Sequence, residues 1–259
     1  MIPTLVRAEI LRRVTNAETE HGVRVLLAVE SGSRAWGFES PNSDFDARFI
    51  YVHDRDWYLS IDDKRDVIEY PIVDEIDLNG WELRKALRLF RNSNPAFVEW
   101  IQSPIIYIER GPFAADCRDL ISKIYSCQKG IHHYRSMAKT NYRGYLREEM
   151  VPLKKYFYVL RPLLSVRWLE AYATPAPIEF GKLLHLIDGN PQLVADIHEL
   201  LERKRGSPEM GLAPQVATIH AFIEAELLRL EPIDIPQEGP TTSDGTGNLN
   251  ELFVRCLQE

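Results

Sequence analysis

The chain has 259 residues, 45% of them hydrophobic and 27% charged, and a formal net charge of −7. That length suits one compound unit or two modest domains, and the composition is that of a globular chain. The negative balance argues against broad nonspecific grip on nucleic acid, and no run approaches the roughly 20 apolar residues of a membrane span.

Residues 4–20 predict an amphipathic helix, with Leu5, Ala8, Ile10, Leu11 and Val14 near one face. The start, MIPTLVRAEILRR, places charges before any apolar stretch forms, so it reads as no signal peptide and the expected compartment is the cytoplasm. VRVLLAVE (23–30) predicts a buried strand, and SGSRAWGFESPNS a turn-rich loop. DARFIYV (46–52) is a second strand. A polar stretch with one short helix follows, then VIEYPI as an edge strand ending at Pro71. DEIDL is a third strand by alternation, with Ile76 and Leu78 on one side and Glu75 and Asp77 on the other.

Asn79, with Glu82 three residues on, reads as the N-cap of a helix that stops near Asn92-Ser93-Asn94-Pro95. AFVEWIQ forms another. Beyond Gly111 the pattern is helical: 112–126, 130–149, 152–172, 178–187, 191–205, 214–231 and 248–258, with 232–248 a Pro/Gly/Ser/Thr-rich linker. Strands early and helices late predict an α+β chain. A small mixed sheet with flanking helices occupies 1–110, and a helical bundle occupies 111–259. Cys117, Cys127 and Cys256 show no ligand spacing and read as reduced thiols; the histidines form no metal pair.

The chemistry concentrates in ESGSRAWGFESPNSDFDARFIYV (30–52). In a strand, residues i and i+2 point the same way, so Asp44 and Asp46 project together and Phe45 opposes them. Two carboxylates that close repel unless a cation sits between them. Mg²⁺ (or Mn²⁺) suits hard oxygen ligands and keeps positions for substrate phosphates. A third carboxylate on a neighbouring strand would complete a two-ion site for in-line phosphoryl chemistry. Asp77 is the best placed, with Glu69, Asp74 and Glu75 as competitors. The Gly32-Ser33 turn offers backbone N–H groups and a hydroxyl to phosphate oxygens, and Gly32 permits close approach.

GSRAWGFESPNSDFD resembles the signature of the DNA polymerase β-like nucleotidyltransferase superfamily: Gly-Ser, about ten residues, then Asp-x-Asp. SRAWGF, SDFDARFIYV, DLNGWELRKAL and SNPAFVEWIQSP resemble one branch of it, the predicted nucleotidyltransferases similar to the YcgL and RlaP (RNA-repair-associated polymerase β-like) proteins. The motifs cover about 25–110 and continue more loosely to about 190. The resemblance implies that Gly32 and Ser33 contact a triphosphate, that Asp44 and Asp46 are paired metal ligands, and that Asp77 is the third carboxylate. Arg34 and Trp36 belong to the branch. Arg34 is a candidate phosphate contact, and Trp36 either packs the loop or stacks on a base.

From Lys129 to Trp168 there are nine Lys or Arg and two acids, a local +7 that leaves −14 for the rest. A basic patch on an acidic chain suggests a confined anionic ligand. Arg135, Lys139 and Tyr142 line one helical face; Lys154, Tyr158 and Arg161 line another, with Lys155 beside it. Lys155 and Tyr158, then Lys139 and Arg161, are the expected nucleotide contacts. Arg143, Arg147 and Arg167 read as solvated surface, and Tyr156 and Phe157 as core.

The expected activity is transfer of a nucleoside monophosphate from an NTP, ATP among the candidates, to a hydroxyl, with release of pyrophosphate. The resemblance favours an RNA 3′ end as acceptor, in RNA repair. A protein or small-molecule hydroxyl is the same-chemistry alternative. A non-catalytic nucleotide-binding or toxin-neutralising module is the alternative of another class. No membrane partner is expected, and the sequence does not specify an oligomer.

Overall fold

The computed structural model describes residues 2–206, 211–231 and 243–258. The chain divides into two compact units, and the fold is α+β. The sheet unit comprises Met1–Ala35, Asp44–Tyr125 and Glu238–Glu259; the helical unit comprises Trp36–Ser43 and Ser126–Gln237.

In chain order the sheet unit contains α1 (Thr4–His21), β1 (Val23–Glu30), α2 (Gly32–Trp36, at its border), β2 (Phe45–His53), α3 (Arg55–Tyr58), β3 (Val67–Glu69) and β4 (Ile76–Glu82). These are followed by α4 (Leu83–Arg91), α5 (Pro95–Ile101), β5 (Ile106–Glu109) and α6 (Phe113–Ile124). Its five strands lie in the order β3-β4-β2-β1-β5. β2 and β4 run parallel and the other pairs antiparallel, so the sheet is mixed.

VRVLLAVE is nearly continuous in apolar residues because β1 is covered on both faces. One face packs on α1 through Ile10, Val14 and Ala17, against Val25, Phe45, Phe49 and Leu78. Leu5 is not part of that contact and is 85% exposed. The other face carries Leu26, Leu27, Ile50 and Val52 beneath α4, α5 and α6. A register irregularity between Val25 and Leu27 lets both leucines reach that second core. Gly80 of β4 leaves room for the Phe49 ring, whose Cε2 would lie 2.3 Å from an added Cβ.

Several boundaries differ from the sequence reading. GSRAW is a single helical turn rather than loop. Alternation in β4 continues to Glu82, so Asn79 is mid-strand and caps nothing. Glu82 is the N-cap, its carboxylate accepting from the N–H groups of Arg84 and Lys85. Asn94 caps α5 by accepting from Ala96 and Phe97, with Pro95 at the first helical position. The sequence reading lacked β5, an edge strand of four residues held by β1.

The helical unit contains α7 (Cys127–Tyr145), β6 (Met150–Pro152), α8 (Lys155–Tyr172), a 3₁₀ helix (Phe180–Ile187), α9 (Pro191–Gly206), β7 (Leu212–Pro214) and α10 (Ala217–Arg229). The helix expected over 130–149 ends at Tyr145. Residues 150–152 instead pair antiparallel with 212–214, a ladder absent from the sequence reading. α8 is buried on nearly every side, from Tyr156 and Phe157 to Leu169, and packs against α7, α10 and the 3₁₀ helix. Phe38, from the segment Trp36–Ser43, is fully buried here, stacked on Phe157 at 5.1 Å and edge-on to Phe180. Lys204 donates to the Phe38 carbonyl at 2.6 Å.

α11 (Ser243–Cys256) returns to the sheet unit and packs against α4 and α6 through Leu249, Leu252 and Cys256. It starts five residues before the expected 248. The remaining linker positions, 232–242, lie outside the described residues. Cys117, Cys127 and Cys256 are thiols. Among the described residues no helix is long and apolar enough to cross a membrane.

Candidate active site

Parallel pairing of β2 with β4 sets Asp46 directly opposite Asp77, one step after Phe45 opposite Ile76. Phe45, Ile76 and Leu78 are buried on the α1 side, so the two aspartates share the other face. Arg48 lies two residues past Asp46 and therefore on the same face. Its guanidinium donates to Asp46 Oδ1 at 2.9 Å and Asp77 Oδ2 at 2.6 Å, and to the Asp77 carbonyl at 2.7 Å. Asn79, the register partner of Arg48, donates to Asp77 Oδ1 at 2.5 Å.

The three charged side chains are only 16–25% exposed. Burial pushes the Asp46 carboxyl up; Arg48 opposes this, and Asp77 and Asp44 add to it. Asp44 itself precedes the strand and is exposed. Its carbonyl accepts from Arg34 Nε at 3.2 Å, and the Arg34 guanidinium lies 3.8 Å from the Phe45 ring centroid.

Gly32 has φ +58, and a Cβ there would sit 1.9 Å from Asp46 Oδ2. The glycine is thus required twice, by its backbone conformation and by the carboxylate pressed against it. The neighbouring Ser31 N–H donates to the Asp46 carbonyl at 2.9 Å. Ser33 is 5% exposed within α2.

Glu30 completes this neighbourhood, and the sequence reading treated it only as the end of a strand. It is fully buried. Oε1 accepts from the Asp46 N–H at 3.0 Å and Oε2 from the Tyr107 hydroxyl at 2.5 Å. Ser103 Oγ donates to the Glu30 carbonyl at 2.6 Å. Burial raises its carboxyl to about 7, against the lowering effect of the Tyr107 and Asp46 hydrogen bonds. A carboxylate closing an otherwise apolar run was the available signal for Glu30, and i+2 spacing from Asp46 was the signal for Arg48.

The basic candidates lie in the helical unit. Lys155 opens α8, with Nζ 4.0 Å from the Tyr145 ring centroid and 4.9 Å from that of Tyr158. Tyr158 is edge-on to Trp36 at 5.8 Å. Arg161, 2% exposed, lies 4.0 Å from the Trp36 ring centroid. Lys155, Tyr158 and Arg161 therefore form one group with Trp36. Lys139 has different neighbours. With Arg135, Tyr142, Arg143, Arg147, Leu227 and Glu231 it lines a cavity of about 300 Å³, and its Nζ is 3.9 Å from Glu231. The Tyr142 hydroxyl donates to Glu224 at 2.7 Å.

Among the described residues no three His, Cys, Asp or Glu side chains converge as a ready metal cage. Asp46 and Asp77 nonetheless fit a divalent ion in chemistry. They are hard, partly buried carboxylates already sharing one cation, the Arg48 guanidinium, with Asp44 two residues from Asp46.

A family model described as the RNA repair pathway DNA polymerase beta family matches residues 6–255. The uncharacterized protein YcgL of Bacillus subtilis (strain 168) is 42% identical over 255 residues, 98% of this chain and 97% of that one. A solved nucleotidyltransferase-like protein from Exiguobacterium sibiricum 255-15 aligns at 14% identity over 85% of this chain and 75% of its own. Its TM-score of 0.32 is too low to define a fold. With a family model spanning nearly its whole length and a relative this similar, the chain belongs to the RNA repair pathway DNA polymerase beta family.

Proposed function

We propose that this chain is a divalent-metal-dependent nucleotidyltransferase that moves a nucleoside monophosphate from an NTP to the 3′ hydroxyl of an RNA, releasing pyrophosphate. The observation that carries the reading is the register pairing of Asp46 with Asp77, with Gly32 against the Asp46 carboxylate. Asp46 and Asp77 would hold Mg²⁺ or Mn²⁺, with Asp44 as the further ligand. The bound metal would neutralise phosphate charge and sharpen the attacking hydroxyl. Gly32 keeps Asp46 in place and, with Ser33, presents backbone to the phosphates. Arg48 and Asn79 orient Asp77, and Glu30 orients the Asp46 backbone. Lys155 and Tyr158 are assigned to nucleotide contact, with Arg34, Lys139 and Arg161 behind them. Catalysis rests on positioning and charge neutralisation. The cysteine thiols suit a cytoplasmic setting.

A second reading draws on Arg48. Because it satisfies both carboxylates without a metal, the site also suits a non-catalytic nucleotide-binding module. One experiment separates these. The protein is incubated with each labelled NTP, Mg²⁺ or Mn²⁺, and RNA or cell extract. Label on RNA that disappears with Asp46→Asn supports the proposal. Label on protein or a small molecule replaces the acceptor. No label with any NTP favours the binding module.

A further inference from the structure

The connection from β3 to β4 ends in a turn of unusual backbone. Val73 and Ile76 pair antiparallel across Asp74 and Glu75, exchanging N–H to carbonyl bonds of 3.3 and 3.1 Å. Both central residues have positive φ, 52° at Asp74 and 61° at Glu75. A two-residue hairpin turn with positive φ at both places favours Asn-Gly or Asp-Gly. Asp74 suits the first position, but Glu75 carries a Cβ where glycine is preferred. Such a conformation persists only where its surroundings over-determine it, and conformations of this kind cluster at functional sites.

Arg13 of α1 supplies part of that hold. Its guanidinium donates to the Val73 carbonyl at 2.8 Å, to Asp74 Oδ2 at 2.8 Å and to Glu9 Oε1 at 2.7 Å. Glu9 stands four residues back on the same helix and fixes the plane of the group, which is 17% exposed. Asp74 is largely exposed, so its ion pair alone contributes little. The rigid fork matters more, because one plane ties a helix carboxylate to a carbonyl and a carboxylate of the turn.

The other end of the turn reaches the carboxylate pair. The Glu75 carbonyl accepts from the Phe45 N–H at 2.7 Å, where the pairing of β2 with β4 begins. Phe45 stands between Asp44 and Asp46, and Ile76 stands between Glu75 and Asp77. The Asp46 peptide is also held by Glu30 Oε1 on its N–H and by the Ser31 N–H on its carbonyl. Those two bonds tie the segment to the end of β1. The Glu75 bond ties it to β4, the strand that carries Asp77. A shift of the Glu75 peptide therefore changes how Asp46 meets Asp77.

We infer that Arg13 is a positioning residue: by holding the Asp74-Glu75 turn in its left-handed conformation, it keeps the Glu75 carbonyl on the Phe45 N–H and so sets Asp46 against Asp77. Its effect on transfer rests on the nucleotidyltransferase reading above; its effect on the backbone does not.

The test compares wild type, Arg13→Met and Arg13→Met/Asp74→Asn/Glu75→Gly as full chains, at a temperature where circular dichroism shows all three folded. The triple variant makes the turn Asn-Gly, which adopts positive φ without help from α1. Amide hydrogen exchange of metal-free protein is followed by NMR at Phe45. Arg110, whose N–H donates to the Leu26 carbonyl at the opposite edge of the sheet, is the reference. Exchange at Phe45 is expected to be about tenfold faster in Arg13→Met, with Arg110 unchanged, and to return toward wild type in the triple variant. In a labelled-NTP assay kcat should fall about tenfold in Arg13→Met with KM for the NTP little changed, and recover with the Asn-Gly turn. Arg13→Lys takes the place of Arg13→Met if that variant does not fold, since an ammonium lacks the fork. The inference is overturned if exchange at Phe45 is unchanged, if Arg110 quickens equally, if the Asn-Gly turn restores nothing, or if kcat is unchanged while Phe45 loosens. If wild type transfers no nucleotide, the nucleotidyltransferase reading fails and exchange at Phe45 alone decides the role of Arg13.

Discussion

In the sheet unit, Asp46 and Asp77 face each other across two parallel strands and one guanidinium serves both. In the helical unit, Lys155 opens an 18-residue helix and lies over the rings of Tyr145 and Tyr158. The first arrangement offsets part of the charge: the carboxylates fix Arg48, and Arg48 lets two like charges approach in a partly buried place. The second keeps charge, because an aromatic face steadies an ammonium without neutralising it. Its position at a helix start adds the positive end of the dipole. A site for cations needs acids whose repulsion is managed until the cation arrives. A site for phosphates needs a cation that is held but not consumed.

The largest effect that would test this contrast comes from the carboxylates. Asp46→Asn or Asp77→Asn is expected to lower nucleotidyl transfer by on the order of 10³-fold in a labelled-NTP assay, with the circular dichroism spectrum unchanged. Transfer at the wild-type rate would remove the pair from the site. Gly32→Ala is next. Its Cβ would collide with Asp46 Oδ2, so urea unfolding should show a loss of about 1–3 kcal/mol alongside reduced transfer.

Arg48→Met sharpens the idea of managed repulsion. Metal-free protein should lose about 2 kcal/mol of stability, because two facing carboxylates lose their shared counter-ion. Added Mn²⁺ should restore much of it and bind more tightly than to wild type, as read by calorimetry. Unchanged metal-free stability would show that the guanidinium is not managing the pair. In the helical unit, Lys155→Ala is expected to raise KM for the NTP by about tenfold with little change in melting, and Lys139→Ala by less, since Glu231 lies beside Lys139.

The smallest effect concerns acid. His53, stacked on Trp57 at 4.0 Å, has its imidazole lowered to about 4, by burial first and then by Lys64. The fold therefore resists its protonation, and this contribution to stability is lost as pH falls from about 6.5 toward 4. Glu226 of the helical unit behaves differently. Burial pushes its carboxyl up, but bonds from Arg167 and Arg229 outweigh that and hold it below 4.5. Its contribution is present above the ordinary carboxylate range and is lost as the pH falls through and below it. Hydrogen exchange across an acid series should thus loosen the strand around His53 before α10. His53→Gln should delay that loosening; simultaneous loosening would contradict the difference.

Much of this was legible in the sequence where a period or a spacing carries it. β1, β2 and β4 follow from apolar runs and alternation, and the Asp46–Asp77 face follows from the same alternation. β5, β6 and β7 were not legible. They have three or four residues each and are strands because a distant partner completes their hydrogen bonds. Asn79 misled because a cap motif was read where alternation still held to Glu82. The grouping of Lys155, Tyr158 and Arg161 was legible from helical spacing. The burial of Arg161 beneath Trp36 was not, because that contact joins residues 125 positions apart. Glu30 shows the same limit: its role arises from Tyr107 and the Asp46 backbone, and no local pattern announces either.

One consequence follows from the placement of α11. The helical unit is encoded between two stretches of the sheet unit, and Leu249, Leu252 and Cys256 enter the same core as Leu87 and Phe97. During synthesis the five strands precede the helical unit, yet the wall that covers α4 and α6 follows it. More than a hundred residues of the other unit are made in between. Of the two units, the one begun first therefore closes only after the other has been made. A nascent chain stalled before Ser243 would present an open apolar face to whatever chaperone meets it at the ribosome exit.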